Sequence, residues 1–558
     1  MFFRAKKSGP RTYLQIVENS WNGGKVRQRV IATVGRLDRL RESGHLDSLL
    51  KSGARFSEKV AVLSAAEEGE GTSVRSTKIG PDLLFSRVWR ELGVGDAIES
   101  GLAGRRFSFP VERAIYLTVL HRLFAGGSDR AAEHWRRDLR VPGTEDLDLH
   151  HLYRAMAWLG EELPYTEQAG ATGFSPRCVK DAIEEDLFTR RRDLFTSLSM
   201  VFFDTTSVYF EGEGGDELGR YGKSKDHRPD RKQIVVGAIL DGEGRPICSE
   251  IWPGNTTDVK TLLPVVDRLR RRFGIRSVTV VSDRGMISEE TIGELERRGM
   301  KYILGARMRT QKEVKEEVLS RAGAYRMVRG PRESSKDPAP LKVKQVMVGD
   351  RRYVVCWNME QSLKDKRRRE HLLENLRRAV EQKSPKGFVG NEGYRRFLRS
   401  EGEFVVDEEK VKQDARYDGK WVLRTNLKSG ELSTEEVALR YKDLWMVEAV
   451  FRSLKSVLEN RPIYHKCDET IRGHVFASFL ALVLLKELLG RLETKGNGEV
   501  EWGRLRHDLL AMTETELRLD GKGFVVRSQL VGDAGKALTA AGIAVPPAVV
   551  ELQDQADR

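Results

Sequence analysis

Between residues 199 and 307 the hydrophobic period of this chain changes. "SMVFFDTTSVYFEG" (199–212) is apolar and β-branched, and "RKQIVVGAILDGEGRPICSEIWPGN" (231–255) reads as two strands around a turn. "SVTVVSDRG" (277–285) and "MKYILGAR" (300–307) are two further strands, with helical spacing near 258–273 and 288–299. The order is β-β-β-α-β-α-β. A helical crossover of that length places the strands on either side of it parallel in one sheet. An α/β core with a mixed sheet follows.

Two of these strands end on a bare carboxylate, Asp204 after "MVFF" and Asp283 after "VTVVS". Polar sites gather at the ends of strands in such sheets. Either aspartate alone also reads as a strand-end turn. The strand order resembles a ribonuclease-H-like core, in which the first and fourth strands are parallel neighbours, so the two carboxylates would converge. Like charges a few ångströms apart need compensation. A divalent ion supplies it, and hard oxygen donors point to Mg²⁺, with Mn²⁺ as substitute.

A third acid is found in "YKDLWMVEAVFRSLKS" (441–456), within a helix expected over 434–459. At about 100° per residue, Tyr441, Leu444, Glu448, Arg452 and Lys455 share one narrow arc. Val447, Val450, Phe451, Leu454 and Leu458 form an apolar stripe beside it. The alternative is an ordinary amphipathic helix with a Glu448–Arg452 ion pair. Trp445, next to the acidic face, either stacks on an unpaired base or packs in the core.

The other segments surround this core. Residues 1–75 hold a β-hairpin, "TYLQIVENSWNGGKVRQRVIATVG" (12–35), and a polar linker at 65–76. Residues 76–198 are helical and a candidate DNA-binding region. The core is expected in two parts, 199–307 and 431–495, split by a β-rich insertion over 308–430. Within that insertion "KDKRRREH" (364–371) is either a phosphate-binding run or a solvated helix face. Residues 496–558 are a mixed C-terminal region.

Charge sets the partner class. Of 558 residues, 96 are Lys or Arg and 83 Asp or Glu, a net +13. The cations are mixed with acids along the chain, so folded basic surfaces facing a polyanion are expected, nucleic acid first. The loop 219–232 carries Arg220, Lys223, Lys225, His227, Arg228, Arg231 and Lys232 soon after Asp204. It reads as DNA contacts or as a solvated hairpin loop. Cys178, Cys248, Cys356 and Cys467 lie too far apart for zinc spacing or a disulfide framework and suit a reducing cytoplasm. His465 and His474 have no recognised ligand spacing. The run "VFASFLALVLL" (475–485) is too short to span a bilayer and reads as a buried helix.

Taken in order, these blocks resemble insertion-sequence transposases of the DDE class, in the branch whose last acidic helix reads Tyr-x2-Arg-x3-Glu-x6-Lys. Tyr441, Glu448 and Lys455 match that spacing, and Leu444 stands at the arginine position. "DTT" (204–206), "SDRG" (282–285), "GRYGKSKDHRPDRKQIVVGAI" (219–239), "GNTTDVKTL" (254–262), "RPIYHKCDETIRGHVFASFLALVL" (461–484) and the hairpin with "VIATVGRLDRL" are similar to its flanking blocks. The family's β-rich insertion falls between the second Asp and the Glu, where this chain has its longest interval.

The resemblance implies a metal-dependent transposase that cuts transposon ends and joins the 3′-OH ends to target DNA by two-metal-ion chemistry. Asp204, Asp283 and Glu448 would be the catalytic metal ligands. Tyr441, Arg452, Lys455, Arg284, Lys223, Lys225 and Arg228 would contact DNA. The partners would be double-stranded terminal inverted repeats and target DNA, bound by a homodimer on paired ends in the nucleoid, with no membrane. A ribonuclease-H-like nuclease without strand transfer, or an inactive DNA-binding protein, are the rival readings.

Overall fold

The computed structural model describes residues 2–552, apart from 23–24, 47, 50–74, 170, 172–174, 192–197, 276, 335–336, 383–391, 402, 457, 459–460 and 520–521. The chain divides into two units, Met1–Ser76 with Glu514–Arg527 and Pro547–Arg558, and Thr77–Thr513 with Ser528–Pro546.

The smaller unit is β-rich. The expected hairpin forms from Arg11–Asn22 and Lys25–Arg36, joined by Phe2–Ser8 as a third antiparallel strand. Residues 65–74 of the expected linker lie outside the described residues. From the C-terminal part of the chain, Lys522–Arg527 pairs antiparallel with both Thr513–Leu519 and Val549–Leu552.

The larger unit is built on a nine-stranded sheet. Its strands in chain order are β1 (Met200–Tyr209), β2 (Gln233–Asp241), β3 (Pro246–Pro253), β4 (Thr279–Ser282), β5 (Lys301–Gly305), β6 (Arg326–Arg329), β7 (Leu341–Val348), β8 (Arg351–Trp357) and β9 (Lys420–Thr425). Their spatial order is β6-β7-β8-β9-β5-β4-β1-β2-β3. The stretch β3-β2-β1-β4-β5, with β1, β4 and β5 mutually parallel and β2 reversed, is the ribonuclease-H-like arrangement. Residues 308–430 supply β6 to β9, which continue the same sheet beyond β5. They also supply the helix Met359–Glu381 and the hairpin Leu398–Glu401/Glu403–Val406. Within the insertion expected to be β-rich, Glu408–Ala415 is instead a helix, started by Asp407, whose side chain accepts from the Lys410 amide at 3.1 Å.

Strand side chains alternate between the two faces. Phe202, Leu240, Val281 and Ile303 enter one core with the helical elements; Val201, Phe203, Ile239, Val280 and Leu304 enter a second, under the helices Leu262–Arg271 and Glu289–Arg297. Covering both faces explains why the central strands read as unbroken apolar runs.

The helical region comprises Gly80–Glu91, Val94–Gly101, Val111–Phe124, Asp129–Trp135, Leu149–Leu159 and Val179–Arg190. It packs round the long helix Asp468–Thr494, whose residues from Ile471 to Leu485 are all buried. Close approach needs glycine here: a Cβ on Gly473 would stand 2.0 Å from the Met156 carbonyl oxygen. Among the described residues no helix is long and apolar enough to cross a membrane. The region is joined to the core by a buried ionic cluster. Arg268 reaches Asp181 at 2.8 Å and Glu184 and Glu250 at 2.6 Å, and Lys180 reaches Asp181 at 2.7 Å.

Candidate active site

β1 and β4 run parallel in a register that ends with Phe203 opposite Ser282, so the next residue on each strand is an aspartate. The Ser282 hydroxyl donates to the Phe203 carbonyl at 3.1 Å and ties the two ends together. Asp204 and Asp283 therefore lie side by side and line a cavity of about 330 Å³. Only Asp283 follows a strand end, because β1 runs on to Tyr209 with Asp204 paired to Ala238, against the expectation that both strands stop at their aspartates. The helix Trp445–Ser456 packs on β1 and β2 through Val447, Val450, Phe451 and Leu454, and brings Glu448, Arg452 and Lys455 to the same cavity.

The expected single helix over 434–459 is two helices, Thr434–Lys442 and Trp445–Ser456. Asp443 and Leu444 form a tight turn between them, with the Leu444 amide bonded to the Tyr441 carbonyl at 3.2 Å. Tyr441 therefore stands apart from the arc of Glu448, Arg452 and Lys455. Its hydroxyl donates to Asp283 Oδ1 at 2.9 Å. Gly305 leaves room for it: a Cβ there would lie 2.4 Å from that oxygen. Trp445 is 60% exposed, outside the core.

The cavity carries excess negative charge. Burial pushes the Asp204 carboxyl up to about 6; Asp283 and Asp258 add to the rise, and the Lys225 ammonium and the Thr205 amide oppose it. Protein groups alone thus leave the carboxylate incompletely compensated. An all-oxygen donor set of this kind fits a hard divalent cation. Among the described residues, the acid and histidine sets with every ligand atom within 4.8 Å are Asp129–His465–His474 and Asp148–His150–His151. Asp204, Asp283 and Glu448 are not among these sets.

The basic residues divide. Lys225 lines the cavity and its ammonium donates to the Thr205 carbonyl at 2.8 Å. Arg284 is exposed beside Asp283, and Lys223 is exposed on the loop. Arg228 turns away, bonded to Asp230 at 2.8 and 2.9 Å and set over the Tyr209 ring. In the run 364–371, Arg369 is buried and paired with Asp418, so it is unavailable to phosphate. Lys364 and Lys366–Arg368 are exposed.

Sequence reasoning passed over two acids here. Asp258, within "GNTTDVKTL", lines the cavity. The Asp226 side chain is only 3% exposed and pairs with Lys455 at 2.7 Å and with Arg461. Burial lowers the Lys455 pKa, and Asp226 opposes the fall. The only available signal was an acid inside a basic or polar block. Away from the cleft, His465 and His474 meet Asp129, with His465 Nε2 3.3 Å from Asp129 Oδ2. Arg122 donates to Asp129 Oδ1 at 3.0 Å and stands 2.9 Å from His474 Nδ1, so a protein cation already occupies this cluster.

The Transposase DDE domain family matches residues 196–484, and the IS1634 family transposase N-terminal domain matches residues 3–68. The chain belongs to the DDE transposase family. A comparison with curated proteins gives no match. Among solved structures, the piggyBac transposase synaptic complex with hairpin DNA is similar at a TM-score of 0.34 and 12% identity, over 77% of this chain and 78% of that one. A likeness that low bears on neither the fold nor the site.

Proposed function

We propose that this transposase cuts the ends of its element and joins the freed 3′-OH ends to target DNA at the cavity beneath β1 and β4. The observation that carries this reading is the register of those strands, which sets Asp204 beside Asp283 with Glu448 facing the same space. These three carboxylates would hold Mg²⁺ or Mn²⁺. When bound, such ions activate the attacking oxygen and stabilise the leaving oxygen of an in-line displacement at phosphorus.

The remaining work belongs to the chain itself. Arg452 and Lys455, one and two turns beyond Glu448, would grip the phosphates flanking the scissile bond. Tyr441 would orient the Asp283 carboxylate through its hydroxyl. Arg284 and Lys223 would steer the DNA backbone. Arg228, held in its own loop, would act only if DNA displaces Asp230. No side chain is required as nucleophile, because water and then the 3′-OH attack. Two ends must be processed together, so a homodimer on paired inverted repeats is expected, acting on nucleoid DNA in the cytoplasm.

The test is a labelled duplex carrying the element's terminal repeat, incubated with protein in Mg²⁺, Mn²⁺ or EDTA. Metal-dependent cleavage and joined product, both lost in Glu448→Ala, support the proposal. Cleavage without joining would leave a nuclease. Specific binding without cleavage would leave a DNA-binding protein.

A further inference from the structure

Asp258 lies on a short turn, Asp258–Lys260, just before the helix Leu262–Arg271. Its backbone is fixed, since its carbonyl accepts from the Thr261 hydroxyl at 2.7 Å and the Thr261 amide at 3.1 Å. Its carboxylate stands between the neighbours of two cleft acids. Oδ1 accepts from the Thr205 hydroxyl at 2.7 Å, one residue beyond Asp204. Oδ2 would lie 3.3 Å from a Cβ on Gly285, two residues beyond Asp283.

The same Oδ2 is 3.3 Å from the Lys225 ammonium. That ammonium also donates to Thr205 Oγ1 at 2.9 Å. The three groups form a directed chain: Lys225 Nζ donates to the Thr205 hydroxyl, which donates to Asp258. Each bond polarises the next in such a chain. The Lys225 amide is held as well, donating to Ser207 Oγ at 2.7 Å. Both oxygens of Asp258 are thus occupied by protein donors.

Resting on the metal-dependent reading above, the geometry assigns to Asp258 the role of a positioning residue. It anchors the Lys225 ammonium against Thr205, leaving the metal-facing side of Asp204 open and the cation within the cleft to meet DNA phosphate. Without that anchor the ammonium swings onto the nearby Asp204 carboxylate and competes with the divalent ion. Lys225 is then a cation whose place is set by an acid outside the catalytic triad.

The experiment is Mn²⁺ binding by paramagnetic resonance titration of the full chain, for the wild type, Asp258→Asn, Asp258→Glu, Lys225→Met and the Asp258→Asn/Lys225→Met double variant. Thermal melts of each check folding. Asp258→Asn is expected to weaken Mn²⁺ binding about tenfold, as loss of a group that orients a ligand does. The double variant is expected to match Lys225→Met alone, and Asp258→Glu to recover most of the loss. A double variant as weak as Asp258→Asn would make Asp258 a metal ligand and overturn the assignment. Unchanged binding in a folded Asp258→Asn would overturn it as well. Wild-type protein whose Mn²⁺ binding is indifferent to Asp204→Asn would remove the metal-site reading itself, a result distinct from either.

Discussion

The Tyr441 hydroxyl donates to Asp283 Oδ1 at 2.9 Å, joining a helix of the second core segment to the strand end of the first. A hydrogen bond to a charged group contributes about 1.5–3 kcal/mol. Tyr441→Phe should therefore lower the cleavage rate by about 10- to 100-fold while leaving the melting temperature nearly unchanged. Gly305→Ala should act alike, because its Cβ would displace the hydroxyl. Single-turnover cleavage of the two variants checks this, and full activity in Tyr441→Phe would remove Tyr441 from the site.

Asp204 opposes folding in the absence of metal, since burial and neighbouring carboxylates raise its carboxyl to about 6. Its folded pKa lies above the unfolded value, so metal-free protein gains stability from this group as pH falls from 7 toward 4. Asp204→Asn should raise metal-free stability by about 1–3 kcal/mol and abolish the thermal shift produced by Mg²⁺. Denaturant melts with and without the ion measure both effects.

His121 is buried in the helix Val111–Phe124, edge-on to Trp135. Burial and the adjacent Arg122 charge bring its pKa down to about 3, with Asp129 opposing. Its folded pKa lies below the unfolded value, so stability present above pH 6.5 is lost as pH falls toward 3. The loss is about 2 kcal/mol by pH 5. His121→Phe should flatten that part of the stability profile, and an unchanged slope would assign it to other groups.

Arg268 is shared by three buried carboxylates. Arg268→Leu leaves Asp181, Glu184 and Glu250 with Lys180 as their remaining cation in that cluster. Removing one member of a buried ionic set costs about 3–5 kcal/mol. Urea melts should register that loss at pH 7. Part of it should return as the pH falls and Glu184, whose carboxyl burial already raises, takes up a proton.

Lys455 pairs with Asp226 at 2.7 Å, alongside Arg461. Lys455→Ala should weaken DNA binding and reduce the slope of log affinity against log salt by about 1, the mark of one lost phosphate contact. Fluorescence anisotropy over a salt series checks it, and an unchanged slope would leave Lys455 as the structural partner of Asp226.

The sheet was readable because its signal is local. The runs ending at Asp204 and Asp283 carry their own strand character, and a helix of crossover length between them requires parallel pairing. Glu448 and its face were readable for the same reason, since helical spacing selects the side that packs. The break at Asp443–Leu444 was not readable: "STEEVALRYKDLWMVEAVF" has no glycine or proline to announce it. Trp445, which could have been core, lies outside it because, among the described residues, no element covers that side of the helix.

By itself, then, the sequence determined the order of the core strands and which of them carry Asp204 and Asp283, because those depend on neighbours within a few residues. The tertiary structure alone decided that Asp258 lines the cleft, that Asp226 pairs with Lys455, that β6 to β9 continue the core sheet, and that Asp129 meets His465. Those pairings depend on which distant segment covers which face, and apolar spacing states that a face is buried without naming its partner.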